Sequence, residues 1–130
     1  MNVLDENIPS HQRLILHSWR IRARQIGINV GRKGMGDDEI IPLLLKLTRP
    51  TFFTRDRDFC HPSLRHPRYC LVYLDVERYE VASFVRRILK LPSFDTAAKR
   101  MGHVIWLSAG GISAWQMNHS DEISMDWISS

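Results

Sequence analysis

The sequence predicts an α/β fold with a largely parallel sheet covered on both faces. Three observations carry that expectation. Short apolar strand candidates alternate with helix-length amphipathic stretches along most of the chain. One candidate, Cys70-Leu71-Val72-Tyr73-Leu74-Asp75, is a continuous apolar run, the pattern of a strand buried on both faces. Near the end, residues 103–108 and 112–117 flank Ala109-Gly110-Gly111 and read as a C-terminal β-hairpin.

The elements follow in order. Residues 2–5, Asn-Val-Leu-Asp, form a first short strand that builds the amino terminus into the sheet. Pro9 and Ser10 open a helix whose stripe of Ile15, Trp19, Arg22 and Ile26 extends to a cap at Gly27. Residues 28–30 are the second strand candidate. Gly31 to Gly36 holds three glycines and two basic residues. It lacks the Lys-Ser or Lys-Thr pair of a phosphate-binding loop and reads as a connection. Asp37-Asp38-Glu39 begins a helix running to Arg49, apolar nearly all round, and Pro50 stops it. Residues 51–55 make the third strand and 60–69 a loop. The run at 70–75 is the fourth strand. A helix over about 80–90 carries Val81, Phe84, Val85, Ile88 and Leu89 at helical spacing, and a short helix lies within 93–102. The chain reads as one domain over 1–117 with an acidic tail at 118–130. Met125, Trp127 and Ile128 make that tail able to dock on its own surface or a partner's.

The 130 residues suit one core, and an apolar fraction of 44% excludes a disordered chain. No apolar run approaches the ~20 residues that span a bilayer. The amino-terminal residues are acidic and lack the layout of a secretion signal. Two cysteines, Cys60 and Cys70, are too few for a disulfide scaffold, so the expected compartment is a reducing cytoplasm. The net charge of +4 comes mostly from arginine, the residue that forks onto phosphate.

Function is read from the carboxylates. In largely parallel sheets, ligands sit outside the carboxyl ends of the strands. Asp5 ends the first strand. Asp56 and Asp58 follow the third. Asp37 and Asp38 open the helix after the second, at that same end. Any one of these acids has an ordinary explanation as a cap, a turn residue or surface. Together they predict one crevice lined by oxygen donors, which suits a hard cation, Mg²⁺ or Mn²⁺. Such a site activates water and neutralises charge building on a phosphodiester. Arg55 and Arg57 would hold the flanking phosphates.

Leu4-Asp5-Glu6-Asn7-Ile8-Pro9, Asp37-Asp38-Glu39-Ile40 and Phe53-Thr54-Arg55-Asp56-Arg57-Asp58-Phe59 resemble the PIN-like nuclease superfamily. The likeness is to the small PIN-like toxins of bacterial toxin–antitoxin pairs. It implies a three-layer α/β/α sandwich with the first strand near the middle of the sheet. It also implies RNA cleavage dependent on Mg²⁺ or Mn²⁺. Asp5 would be the first-strand ligand. Asp37 would be the helix-opening acid, with Asp38 or Glu39 as substitutes. Asp56 and Asp58 would be the third-strand acids, with Thr54 orienting one of them. Asp75 stands where larger members carry a further acid. The resemblance implies an RNA substrate and an antitoxin protein as partners, and admits a homodimer. Pro42, the Pro50-Thr51 strand entry, the 60–69 loop and the acidic tail depart from the group's pattern.

Other chemistry is weighed against this. Cys60, His61, His66 and Cys70 have irregular spacing for zinc. Trp19, Trp106 and Trp115 are expected in the core. A phospho-receiver module would share Asp5-Glu6 and Asp56. It needs a lysine ending the fifth strand, where Trp106-Leu107-Ser108 stands. A third reading is a PIN-like module that binds RNA or a partner without cutting.

Overall fold

The computed structural model describes residues 1–127. Seven strands form one sheet in the order β2-β1-β3-β4-β5-β6-β7. They are β1 (Asn2–Leu4), β2 (Arg24–Gln25), β3 (Thr51–Thr54), β4 (Cys70–Leu74), β5 (His103–Ser108), β6 (Gly111–Gln116) and β7 (Ile123–Met125). β1 to β5 are mutually parallel, whereas β6 and β7 run antiparallel to their neighbours. The helices are α1 (Ser10–Ser18), α2 (Asp37–Leu45), α3 (Val81–Lys90) and α4 (Ala97–Arg100). The fold is α/β with a mostly parallel sheet, as the alternation of elements predicts.

Side chains alternate across the pleat and so divide into two apolar clusters. Leu4, Phe53, Val72, Leu74, Ile105 and Leu107 pack with Leu16 of α1 and with Val81, Val85 and Ile88 of α3. Their strand neighbours Val3, Phe52, Leu71 and Val104 pack with Ile40 and Leu44 of α2. Each two-residue step of a strand thus serves one cluster, and the intervening residue serves the other. The continuous apolar runs read in the sequence have this as their cause.

Several expected boundaries move. α1 stops at Ser18, well short of Gly27, because Arg20 adopts a left-handed backbone, φ 62°. The Ile21 N–H then reaches back to the Leu16 carbonyl at 2.9 Å, and Ile21 packs on the first cluster. This is a helix stop of the kind glycine usually makes, built here on an arginine. The freed chain supplies β2 at Arg24–Gln25, ahead of the expected 28–30 strand. Of the latter, Val30 makes only an isolated bridge to Ile26. α2 ends at Leu45, where Lys46 and Leu47 N–H groups tighten onto carbonyls three residues back. The helix runs through Pro42. The 60–69 loop holds a short 3₁₀ turn at Pro62–Leu64. Within the expected tail, Ile123–Met125 adds β7 to the edge of β6. Trp127 donates its indole N–H to the Ser108 carbonyl at 2.6 Å, and Ile128 lies outside the described residues. β1 is second from the edge of the sheet and not near its middle, because β6 and β7 lengthen only the far side.

Candidate metal centre

The strand order fixes where a site can form. From β1 the chain moves outward to β2 and then crosses back to β3 on the other side. Such a reversal leaves a crevice beyond the carboxyl ends of the two adjacent strands. Here those strands are β1 and β3. A cavity of about 270 Å³ lies there, lined by Asp5, Asn7, Ile8, Arg55 and Asp56.

Asp5 follows β1 directly and is 8% exposed. Its Oδ2 accepts the Thr54 hydroxyl at 2.6 Å and its Oδ1 accepts the Glu6 N–H at 2.7 Å. Burial pushes its pKa up; those two hydrogen bonds oppose the rise, and the Asp56 and Glu6 charges add to it. Thr54, at the end of β3, is fully buried. Its oxygen also accepts the Asp56 N–H at 2.9 Å. One hydroxyl therefore ties the chain leaving β1 to the chain leaving β3. Asp56 caps the short 3₁₀ turn Arg57–Phe59, accepting the Asp58 N–H at 2.9 Å. This Asx-type turn holds Asp56 and Asp58 on one side, while Phe59 is buried edge-on against Phe52 at 5.1 Å.

Asp37 is the first residue of α2. It reaches the same place from a distant part of the chain. Carboxylate oxygens of Asp37, Asp56 and Asp58 lie within 4.8 Å of one another. Among the described residues no other group of three His, Cys, Asp or Glu gathers in this way. Asp37 is exposed, yet partial desolvation of its carboxyl raises its pKa, and the charges of Asp56, Asp58, Asp5 and Asp38 raise it further. Carboxylates this close repel unless a proton or a cation stands between them.

The donor set fits a hard divalent ion. All the ligand atoms are carboxylate oxygens, which Mg²⁺ and Mn²⁺ prefer. Oxygens on opposite sides of an octahedral Mg²⁺ stand about 4 Å apart, from bonds of ~2.0–2.1 Å. Only one pair among three ligands can be trans, and cis oxygens stand about 2.9 Å apart, so this group within 4.8 Å would have to close inward to hold an ion.

Not every expected residue joins. Asp38 is solvent-exposed, and its Oδ1 folds back over Gly36, 2.7 Å from where a Cβ there would stand. Glu39 pairs with Arg32. Asp37 is therefore the acid of that trio that reaches the centre. Asp5 stands outside the group of three, facing it electrostatically. Arg55 points its Nε to the Val76 carbonyl at 3.0 Å, and the Arg57 guanidinium lies 5.0 Å from the centre of the Trp106 ring. Asp75 accepts the Trp106 indole N–H at 3.2 Å. Trp106 is half-buried and belongs to neither cluster, unlike Trp19 and Trp115, which pack against the core. Cys60 and Cys70 do not form a zinc site. Burial pushes their thiols up to about 11 and about 12, and His61 and His66 are spent on Ser63, Arg68 and Tyr69.

Two supports went unread in the sequence. Gln25 is buried and donates its side-chain N–H groups to the carbonyls of Ile8 at 2.6 Å and Asp5 at 3.1 Å. It pins the turn that follows β1. Glu6 accepts the Gly34 N–H at 3.0 Å and so holds the glycine loop that delivers Asp37. Gly34 has φ 78°, a conformation that suits glycine. A glutamine among arginines and an acid beside an acid carry no local signal of these roles.

Among the described residues no helix is long and apolar enough to cross a membrane. No family model, curated protein or solved structure matches the chain.

Proposed function

We propose that this chain is a Mg²⁺- or Mn²⁺-dependent ribonuclease with the three-layer α/β/α architecture and C-terminal hairpin of PIN-like proteins, acting as the toxin of a toxin–antitoxin pair. One observation carries the catalytic part. Asp37, Asp56 and Asp58 converge from separate segments onto the strand-order reversal, with oxygens within 4.8 Å. The two apolar clusters and the antiparallel pairing of β5 with β6 support the architecture. The toxin role rests on the sequence resemblance.

In this reading Asp37, Asp56 and Asp58 hold the ion. A bound Mg²⁺ or Mn²⁺ supplies Lewis-acid stabilisation of the phosphodiester and lowers the pKa of attacking water. The chain's own residues set the geometry. Asp5 fixes the Thr54 hydroxyl, and Thr54 in turn fixes the backbone of Asp56. Arg55 and Arg57, both exposed, supply charge for phosphates on either side of the scissile bond.

The test is cleavage of a single-stranded RNA by purified protein with Mg²⁺ or Mn²⁺, beside Asp5→Ala and Asp56→Ala. Cleavage that needs the metal and disappears in Asp56→Ala is the expected result. Absence of cleavage with retained RNA binding would instead identify a non-cutting binding module. Co-purification with the product of an adjacent small gene, and growth arrest on expression alone, test the toxin role.

The strand order gives a second reading some weight, because doubly wound receiver domains share the order 2-1-3-4-5. Asp56 would then accept a phosphoryl group. Ser108 ends β5 where that chemistry wants a cation. Acetyl-phosphate labelling of Asp56 separates the two.

A further inference from the structure

We infer that Trp106, Arg57 and Asp75 form a subsite for an unstacked nucleobase, guanine by preference, beside the carboxylate centre. The inference deepens the ribonuclease reading and rests on it for the neighbouring chemistry. It begins with an anomaly. Trp106 shares strand parity with Val104, which is fully buried. Two residues nearer the carboxyl end, the indole is left partly open to solvent. A large aromatic surface is therefore presented at the end of the sheet where the acids gather.

Three contacts prepare that surface. Tyr73 is the cross-strand partner of Trp106, and their rings lie 5.8 Å apart with a 59° tilt, which fixes the indole from one side. The indole N–H donates to Asp75 Oδ2 at 3.2 Å, which fixes it in plane. The Arg57 guanidinium stands 5.0 Å from the ring centre. Arg57 lies between Asp56 and Asp58 in the chain, so the indole is one arginine side chain away from the centre. Beside Trp106 opens a cavity of about 470 Å³, lined also by Asp75 and by Ser108, Ser113 and Ser124. That volume is within the range of small-ligand sites.

The chemistry selects the occupant. A partly exposed indole with a guanidinium over its ring is a platform on which a single-stranded base stacks, against the indole or the guanidinium plane. The Asp75 carboxylate only accepts hydrogen bonds when ionised. Guanine offers two adjacent donors, N1–H and N2–H, for which Asp75 has its free Oδ1 and the second lone pair of Oδ2, the first holding the indole N–H. Adenine and cytosine place an acceptor beside their single amino group, and uracil flanks its imino group with two carbonyls. Those acceptors would face a carboxylate with like polarity.

The experiment measures fluorescence anisotropy of labelled hexauridylate and of the same RNA with one guanine, in EDTA, and maps cleavage with Mn²⁺. The wild type should bind the guanine RNA about tenfold more tightly, the scale of one stacked, hydrogen-bonded base. Trp106→Ala should weaken both RNAs about tenfold, with Trp106→Phe keeping most of the affinity. Asp75→Asn should erase the guanine preference and bring the two RNAs to equal affinity. Equal binding of both RNAs by the wild type, or a guanine preference that survives Asp75→Asn, would overturn the inference. Should Trp106→Ala fail to fold, Trp106→Phe and Asp75→Asn still decide it. Guanine-dependent binding without cleavage would sink the nuclease reading and leave the subsite standing. Cleavage at the same positions and with the same KM in Asp75→Asn and Trp106→Phe, without guanine preference, would do the reverse.

Discussion

β3 begins and ends with threonine, and the two ends of this four-residue strand are built oppositely. At the amino end, Thr51 Oγ1 accepts from the Arg100 Nε at 2.9 Å, and the same guanidinium donates to the Phe94 carbonyl at 2.7 Å. Arg100 is only 5% exposed, so a buried cation is held by neutral oxygens. At the carboxyl end, Thr54 gives its hydrogen to the buried anion Asp5 and accepts from the Asp56 backbone. So far the ends are mirror images. The difference lies just beyond. Nothing comparable to the Asp37, Asp56 and Asp58 cluster stands near Arg100 among the described residues. The amino end is satisfied within the protein. The carboxyl end gathers like charges that repel until a proton or a cation intervenes. That contrast is what the proposed ion would resolve at the carboxyl end.

Breaking the open end should produce the largest effect. Asp56→Asn is expected to lower RNA cleavage by about 10²–10³-fold, comparable to losing a principal electrostatic group of an active site. Its melting temperature in EDTA should not fall, because one source of repulsion has gone. Initial rates and thermal melts on one preparation check both halves.

The closed end should respond in the opposite sense. Arg100→Met leaves Thr51 Oγ1 and the Phe94 carbonyl without their donor inside the core. The expected cost is about 2–3 kcal/mol of stability, read from urea unfolding. Cleavage per folded molecule should be unchanged. A selective loss of activity would mean that the two ends are coupled through β3.

Thr54→Val probes both properties at once. Asp5 loses its shortest hydrogen bond, and the Asp56 N–H loses its acceptor. We expect a loss of about 2 kcal/mol and a cleavage rate reduced ~10–100-fold, as for residues that orient metal ligands. Thr54→Ser should restore most of both.

The smallest effect is the pH and metal dependence of stability. Asp5 and Asp37 have pKa values raised above the ordinary 3.8. The folded state therefore binds protons more tightly at these groups than the unfolded chain does. Their favourable contribution is complete below 3.8 and is lost as pH rises through the raised folded values. Metal-free protein should lose stability from these groups across that interval. Mg²⁺ at neutral pH should restore about 1.4 kcal/mol at 10 Kd. Asp37→Asn should blunt the pH slope and the Mg²⁺ effect together. Unchanged melts on adding Mg²⁺ or Mn²⁺ would remove the ion from this account.

Much of this was legible from local pattern. The apolar runs at 51–54 and 70–74 mark buried parallel strands, since both faces of each strand must meet apolar neighbours. Asp56 was legible because it follows a buried strand at the carboxyl end of a parallel sheet, where ligands sit. The second strand was not. Arg24–Gln25 has no apolar signature, because its burial is spent on a glutamine bonding to the turn after β1. The stop of α1 was hidden for a similar reason. Arg20 takes the left-handed conformation only because Ile21 has a cluster to fold onto.

By itself, then, the order of residues determined the α/β class, the buried parallel strands at 51–54 and 70–74, a sheet covered on both faces, and the five aspartates, Asp5, Asp37, Asp38, Asp56 and Asp58, expected at one end of it. These are consequences of side-chain period and of which end of a strand a residue follows. Only the tertiary structure decided which acids meet. Asp37 reaches Asp56 and Asp58 while Asp38 folds over Gly36 and Glu39 turns to Arg32. Neighbours on a helix point about 100° apart, and that rotation separates the acid of the cluster from a surface acid. Tertiary packing also decided that Trp106 stays partly exposed under Arg57 while Val104 of the same strand is covered. The apolar packing against α2 reaches Val104 and not Trp106.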